Sequence, residues 1–141
     1  MIIDAHAHYH PRRYNEALVR MGITQGSMTP HPDTDDKEHV EKRLEMMADA
    51  GVGLQVLSPA AGRAPYGPDQ ALALDAARIG NDINAELVAQ HPDKFKAFVT
   101  LPLPHIEASL KELARSMDQL GMIGVNMHIS ALDRSVAEDE F

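Results

Sequence analysis

Near its start the chain carries the stretch Ile2–His8, which reads Ile-Ile-Asp-Ala-His-Ala-His. Two β-branched residues lead into a His-x-His pair, a pattern that predicts a short buried strand. Because residues two apart in a strand point to the same face, we expect His6 and His8 to project together from the end of this strand. Two neutral imidazoles side by side can bind one divalent metal ion. The stretch therefore predicts the beginning of a metal site.

The rest of the sequence alternates between short apolar runs and helical patterns. A His-x-His pair can arise by chance, and this chain has 8 histidines, so the surrounding pattern decides how the pair is interpreted. Four runs, apolar on both faces, are typical of parallel strands covered by helices, and they are Met1–Ala5, Gly53–Leu57, Lys96–Leu101 and Ile123–His128. Their alternation with helices predicts a parallel sheet with right-handed crossovers.

Apolar residues at helical spacing predict the helices between these runs. The predicted helices are Arg13–Met21, Lys37–Ala50, about Asp69 to Pro92, and about Ile106–Leu120. Thr34 and Asp35 resemble a helix start, whereas Gly51 and Gly121 stand where a C-terminal cap would be. We interpret the apolar stripes as core-packing faces, and on the last two helices these are Leu72, Ala76, Ile79, Ile83 and Leu87, then Ile106, Leu110, Leu113, Met117 and Leu120.

Two long loops follow predicted strands, over Arg12–Asp36 and Ser58–Pro68. Ligands of parallel α/β folds bind at the carboxyl ends of the strands, so both are candidate binding loops. The acidic segment Arg134–Phe141 has no partner in the pattern, and we interpret it as the start of a further helix.

Composition excludes several classes of protein. The 141 residues suffice for one modest domain, and the net charge of −8 argues against nucleic-acid binding. No apolar run is long enough to cross a membrane, so we expect no membrane partner. The chain has no cysteine, which excludes thiolate metal ligands and fits a cytoplasmic location.

Further candidate site residues lie near the predicted strand ends. His10 follows the metal pair, but Pro11 predicts that the strand has ended, so we expect His10 at the rim of a substrate pocket. Arg12 could pair with a substrate carboxylate, and His128 at the end of the fourth run could face the pocket beside Asn126. The remaining histidines are expected to be surface or capping residues, and they are His31, His39, His91 and His105.

The ordered set of these motifs resembles the amidohydrolase superfamily, in the branch of aminocarboxymuconate-semialdehyde decarboxylase and the aromatic-acid decarboxylases. The pieces that carry the resemblance are Ile3–His8 with Pro11, Met47–Val52, Val56–Ser58, Asn81–Val88 with His91–Phe95, Leu101–Pro104, and Leu120–Val125. The resemblance implies a (β/α)8 barrel with a metal ion at its C-terminal face, where His6 and His8 are the first-strand ligands. The other ligands would come from later strands.

A barrel of eight units usually needs about 250 residues. We therefore expect residues 1–141 to form a partial metal-dependent hydrolase-like domain, the N-terminal half of a barrel with about four β/α units. Such a half would form a homo-oligomer or depend on a missing C-terminal half, because two sheet edges stay bare.

The resemblance implies a metal-dependent enzyme acting on a small-molecule substrate, with zinc as the expected cofactor. We expect a decarboxylase or C–C lyase acting on a small carboxylated substrate. A metal-dependent hydrolase of a lactone or amide is one alternative. A non-catalytic half-barrel, either a fragment or a subunit that needs a partner, is the other.

Overall fold

Three parallel strands form the main sheet, in the spatial order β1-β2-β3. The computed structural model describes residues 1–23, 36–59 and 63–139. In chain order the elements are β1 (Ile2–His8), α1 (Arg12–Arg20), α2 (Lys37–Asp49), β2 (Val52–Ser58), α3 (Gln70–Gln90), β3 (Phe95–Ala97), α4 (Ile106–Gln119), β4 (Ser130–Ala131) and β5 (Arg134–Ser135). The predicted α/β fold with parallel strands is confirmed.

The four predicted helices are confirmed within one or two residues at most ends. The N-cap of α2 is Asp36, whose carboxylate accepts the backbone N–H of His39 at 2.8 Å. The predicted start at Thr34 and Asp35 lies outside the described residues, as do His31 and the rest of residues 24–35 in the first long loop. Gly51 follows α2 with φ of +68°, a left-handed conformation that glycine adopts without steric cost.

Strand β1 is longer and more exposed than predicted. It extends through both histidines to His8, whereas the sequence predicted an end at Ala5. The prediction of a buried strand is wrong, because β1 lies at the edge of the sheet and its first residues are exposed. Ile2 and Ile3 are 57% and 54% exposed. The open edge of β1 therefore presents apolar side chains beside the histidine pair.

The fourth predicted strand is reduced to a single bridge. Val125 pairs in parallel with Val99, and the backbone N–H of Ile123 donates to the carbonyl of Ala97. The chain from 123 to 126 therefore runs beside β3 in the predicted direction, but the ladder is too irregular to form a strand over Ile123–His128.

The main core lies between the sheet and its helices. Leu57, Phe95 and Val99 are fully buried at its centre, and Met47 of α2 packs against them. A smaller cluster joins α1 to α3, where the ring of Tyr14 lies against Gly80. A Cβ atom at Gly80 would stand 2.9 Å from this ring, so the close approach of the two helices requires glycine here.

Helix α4 packs only part of the predicted stripe against the core, namely Ile106, Leu113 and Leu120. Leu110 and Met117 are 61% and 41% exposed, so the predicted stripe is wrong at these two positions. The residues that α4 buries are instead small or polar, namely Ala108, Ser109, Glu112 and Ser116. On α3 the predicted stripe is correct except at Leu72, which is exposed.

Glu112 explains the polar face of α4. Its side chain is fully buried, and it accepts hydrogen bonds from Asn81 of α3 at 2.7 Å and from Arg115 at 2.7 and 2.8 Å. Burial raises the pKa of Glu112, but the hydrogen bonds from Arg115, Asn81 and Ser116 outweigh it and leave the pKa below its ordinary value. We call Glu112, Asn81, Arg115 and Ser116 the Glu112 cluster.

The end of the chain forms a small hairpin. Strands β4 and β5 pair in antiparallel fashion, and Arg134 is held by Glu138 at 2.9 Å. The predicted helix start over Arg134–Phe141 is therefore wrong for the described residues, which end at Asp139. Among the helices of the described ranges, none combines the length and apolar character that crossing a membrane requires.

Candidate metal centre and substrate face

The structure brings His6 and His8 together at the carboxyl end of β1. Their ring centroids lie 4.8 Å apart, with the ring planes at 72°. His6 is exposed and His8 is half-buried, so both rings can be reached from solvent. The predicted side-by-side arrangement of the two imidazoles is therefore present.

A register shift in β1 sets which way these side chains face. Between Asp4 and Ala7, β1 advances three residues while its partner β2 advances two, from Gln55 to Leu57. Such a bulge reverses the alternation of side chains along the strand. Asp4 and Ala7 pair with Gln55 and Leu57 across this bulge, and both histidines line a cleft beside Arg43 of α2.

A polar network from α2 holds the backbone on both sides of the bulge. Arg43 donates to the carbonyl of His8 at 2.6 Å and to Gln55 Oε1 at 3.1 Å. Gln55 donates to one oxygen of Asp4 at 3.0 Å, and the other oxygen accepts the backbone N–H of His6 at 3.1 Å. We call Arg43, Gln55 and Asp4 the Arg43 network, and the sequence prediction missed Arg43 and Gln55. The signal that could have revealed it is Gln55, a polar residue inside an apolar strand.

A second contact fixes the ring of His8. Its Nδ1 atom lies 3.2 Å from the carbonyl oxygen of Ser58, at the end of β2. Because a carbonyl can only accept a hydrogen bond, a neutral ring that makes this contact has its proton on Nδ1 and a lone pair on Nε2. Metal-binding histidines commonly show this arrangement, in which the second nitrogen donates to a carbonyl. The contact therefore leaves Nε2 of His8 as the ring nitrogen that could bind a metal ion.

His6 and His8 could provide two of the ligands that a metal site needs. Within residues 1–23, 36–59 and 63–139, no group of three or more His, Asp, Glu or Cys side chains is placed to hold a metal ion. Zinc sites use three or four protein ligands, so the pair fits a metal ion as part of a shared set. A cleft of about 590 Å³ runs along the β1 edge past His6, His8 and Arg43.

The two residues predicted after the metal pair lie in different surroundings. His10 lies beyond the end of β1, with its ring 6.1 Å from that of His8. It follows the strand in the chain, as predicted, and it is only 5% exposed. Asn15 of α1 donates a hydrogen bond to the His10 carbonyl at 3.4 Å. Arg12 begins α1 and is exposed.

His128 lies at the carboxyl edge of the sheet, as predicted. It is half-buried, and with Asn126 it lines a small cavity between the ends of β2 and β3. The ring of Tyr66 meets that of His128 nearly edge-on, at a centroid distance of 5.6 Å. The carboxyl ends of parallel strands share one edge of a sheet, so this cavity lies on the same edge as the histidine pair.

Comparison with known proteins identifies the family. The family described as Amidohydrolase matches residues 3–138, which is nearly the whole chain. The chain belongs to the amidohydrolase family. The expected kinship of this amidohydrolase with aromatic-acid decarboxylases is also confirmed, by gamma-resorcylate decarboxylase of Rhizobium radiobacter, which is 38% identical over 84 residues. That match covers 60% of this chain and 26% of the relative.

Another relative spans more of this amidohydrolase. The 2-keto-4-carboxy-3-hexenedioate hydratase of a Sphingobium species is 30% identical over 141 aligned positions, which cover 91% of this chain and 41% of the relative. The chain thus spans between about a quarter and two fifths of the length of these two relatives.

A solved structure supports the same fold. Dihydroxybenzoic acid decarboxylase from Polaromonas, with bound manganese and the inhibitor 2-nitroresorcinol, superposes with a TM-score of 0.65 at 26% identity. The superposition covers 88% of this chain and 37% of the decarboxylase. An α/β fold that matches part of a larger amidohydrolase is consistent with part of a barrel.

Proposed function

We propose that this chain is the metal-binding part of a (β/α)8 amidohydrolase that removes CO₂ from a small carboxylated substrate. The observation that carries the proposal is the His6–His8 pair, with His8 oriented by the Ser58 carbonyl at the carboxyl end of a parallel strand. The decarboxylases among the relatives support the reaction. Residues 1–141 would form a partial barrel domain of about four β/α units.

In this proposal His6 and His8 would hold a divalent metal ion, which when bound would stabilise negative charge on the substrate as CO₂ leaves. Zinc is the proposed metal because imidazole is one of its preferred ligands. Manganese is the first alternative, since the Polaromonas decarboxylase contains it.

Three other residues are proposed to bind the substrate. Arg12 would pair with the carboxylate, because its exposed guanidinium begins the helix that follows the metal pair. His10 and His128 would donate hydrogen bonds to polar groups of the substrate from the same edge of the sheet. These side chains would orient the scissile bond, and the electron pair left after CO₂ departs would be quenched by a proton.

Exposed apolar side chains at the sheet edges support the proposal that additional polypeptide completes this domain. Met1 is 94% exposed at one side of the sheet, and Ile129 is 87% exposed at the other. Apolar side chains at both open edges are expected where further strands would pair. We propose that the remainder of a barrel or a second copy of this chain covers them and supplies the other metal ligands.

Water addition is the second candidate reaction. The hydratase from Sphingobium aligns with 91% of this chain, a larger share than the Rhizobium decarboxylase does. Both reactions would use the same metal pair. Hydrolysis of a lactone or amide stays an alternative expected from the sequence.

Product analysis tests the proposed function. The protein, assembled with the part that completes its metal site and loaded with Zn²⁺ or Mn²⁺, would be incubated with 2,6-dihydroxybenzoate, and CO₂ and resorcinol would be measured. We expect both products from the parent protein and none from the double variant His6→Ala/His8→Ala. The control is His91→Ala, because His91 lies before the start of β3, at the amino-terminal ends of the strands and away from the histidine pair.

Three outcomes separate the candidates. CO₂ release supports the decarboxylase. Loss of the double bond from an unsaturated dicarboxylic acid, without CO₂, would support the hydratase. A protein that binds metal but transforms neither compound would contradict both reactions and favour a non-catalytic partial barrel.

A further inference from the structure

The hydrogen-bond ladder between β2 and the chain of β3 stops at Leu57 and Phe98. The N–H of Phe98 donates to the Leu57 carbonyl at 3.0 Å. In a parallel ladder the next residue of β2 to bond would be Pro59, with its N–H donating to Phe98 and its carbonyl accepting from Thr100. Proline has no N–H, so the ladder cannot continue. The two strands can therefore separate at the carboxyl edge of the sheet, where ligands of parallel α/β folds bind.

Thr100 takes its backbone hydrogen bonds from helix α3 instead of from β2. Its N–H donates to Asn81 Oδ1 at 2.9 Å, and its carbonyl accepts from Asn81 Nδ2 at 3.1 Å. A side-chain amide carries an acceptor next to a donor, so it can bond to both backbone groups of one residue as a strand would. Asn81 is fully buried. It therefore satisfies the backbone groups that the interrupted ladder leaves without a partner.

Glu112 determines which way the Asn81 amide faces. The Nδ2 group of Asn81 also donates to Glu112 Oε1, at 2.7 Å. The carboxylate and the Thr100 carbonyl can only accept hydrogen bonds, so a reversed amide would place its oxygen against two acceptors. Arg115 and Ser116 hold Glu112 in turn. The Glu112 cluster thus fixes the amide in the orientation that bonds to Thr100.

The chain after β3 supports the segment that carries His128. The N–H of Asn126 donates to the Val99 carbonyl at 3.4 Å, and Val99 directly precedes Thr100. Thr100, Asn126 and His128 all line the small cavity between the ends of β2 and β3. The position of the segment from Asn126 to His128 therefore depends on the backbone that Asn81 holds.

We propose that Asn81 is a positioning residue for the substrate site. Its amide replaces β2 as the partner of Thr100, which keeps the carboxyl ends of the two strands apart and holds His128 at the edge between them. The inference rests on the proposed function, because it takes this edge as the substrate side. It adds a residue in the middle of α3 that acts through the backbone of Thr100.

Amide hydrogen exchange followed by NMR tests the positioning. The metal-loaded protein would be compared with Asn81→Ala and with Asn84→Ala, a control that removes a buried amide one turn further along α3. The reporters are the N–H groups of Asn126 and His128, which bond to other partners than Asn81. We expect Asn81→Ala to speed their exchange about tenfold relative to that of Leu57 in β2. Asn84→Ala should change the reporters and Leu57 equally.

Substrate affinity tests whether the positioning serves function. Dissociation constants for 2,6-dihydroxybenzoate would be measured calorimetrically on the same three proteins, each assembled with the part that completes its metal site and loaded with Zn²⁺. We expect Asn81→Ala to bind the acid about three- to tenfold more weakly than Asn84→Ala does. Both variants should retain as much metal as the parent protein. A role in stability alone would lower the unfolding temperature without separating the two variants in affinity.

Asn81→Asp replaces the alanine variant if that variant does not fold. The aspartate keeps an oxygen for the Thr100 N–H, but its second oxygen faces the Thr100 carbonyl and the Glu112 carboxylate, so the same loss of affinity is expected. Exchange that rises equally at the reporters and at Leu57 would overturn the positioning role. An affinity for the acid that is equal in the parent protein and the Asn81 variant, or absent from the parent protein, would also overturn it.

The two proposals fail separately. Affinity that depends on Asn81, without CO₂ release, would uphold the positioning role and contradict the decarboxylase. CO₂ release with the same KM in the parent protein and the Asn81 variant would uphold the decarboxylase and overturn the positioning role.

Discussion

The Glu112 cluster and the His6–His8 pair are both polar, but the first is buried with its hydrogen bonds formed and the second is accessible to solvent. Glu112 is fully buried, and both of its carboxylate oxygens accept hydrogen bonds. His6 is exposed at an uncovered sheet edge, and the pair supplies two metal ligands where three or more are needed. A satisfied polar cluster contributes to stability, whereas an incomplete one is suited to binding. Substitutions should therefore affect stability in the first region and metal affinity in the second.

The largest expected effect is a loss of stability when Glu112 is removed from its cluster. Glu112→Ala should lower the free energy of unfolding by about 3–5 kcal/mol, because Asn81 and Arg115 would keep buried donors without an acceptor. Urea denaturation monitored by circular dichroism measures this change. Glu107→Ala on the same helix is the matched control, since Glu107 is exposed, and it should leave the midpoint nearly unchanged. Equal effects of both variants would show that the cluster is not a stabilising centre.

The next effect is on metal affinity, and it concerns the Arg43 network beside the His6–His8 pair. Arg43→Met should weaken metal binding about 10–100-fold, because the carbonyl of His8 and the side chain of Gln55 lose their donor. Isothermal titration with Zn²⁺ and Mn²⁺ measures it. Arg20→Met is the control, since Arg20 pairs with Asp75 at the exposed surface of α1 and α3. Unchanged affinity in Arg43→Met would mean that the Arg43 network does not position the histidines.

A smaller effect on stability is expected at acidic pH. Hydrogen bonds lower the pKa of Glu112 in the folded protein, so the unfolded chain takes up its proton first as the pH falls. Stability from this group is therefore complete above the unfolded glutamate pKa of about 4.3 and is lost as the pH falls toward the folded value. Unfolding free energies measured between pH 7 and pH 3 should decline less steeply for Glu112→Gln than for the parent protein. Parallel declines would contradict the lowered pKa.

The sequence predicts the order of elements well because that order depends on local patterns. Alternating apolar runs and helices identify the parallel sheet, and Gly51 marks the end of α2 through a conformation that few other residues adopt. The His-x-His motif is likewise local, so its two rings could be placed side by side before the structure was known.

The failures concern interactions between distant residues. Glu112 looks like any exposed helical glutamate until Asn81, 31 positions earlier, is known to face it. The stripe on α4 was misjudged for this reason. The bulge at Asp4–Ala7 and the contact of Arg43 with His8 depend on how β1 pairs with β2 and on the helix packed beside them. Sequence periodicity predicts neither, although Gln55 inside an apolar strand indicates a polar contact there.

Metal binding by single histidine variants tests the central claim most directly. The protein would be loaded with Zn²⁺ or Mn²⁺ and dialysed, and retained metal would be measured by mass spectrometry for the parent protein, His6→Ala, His8→Ala and His91→Ala. We predict that His6→Ala and His8→Ala each retain less metal than the parent protein, whereas His91→Ala retains as much as the parent protein does. Metal retained equally by all four proteins would contradict a metal centre built on His6 and His8.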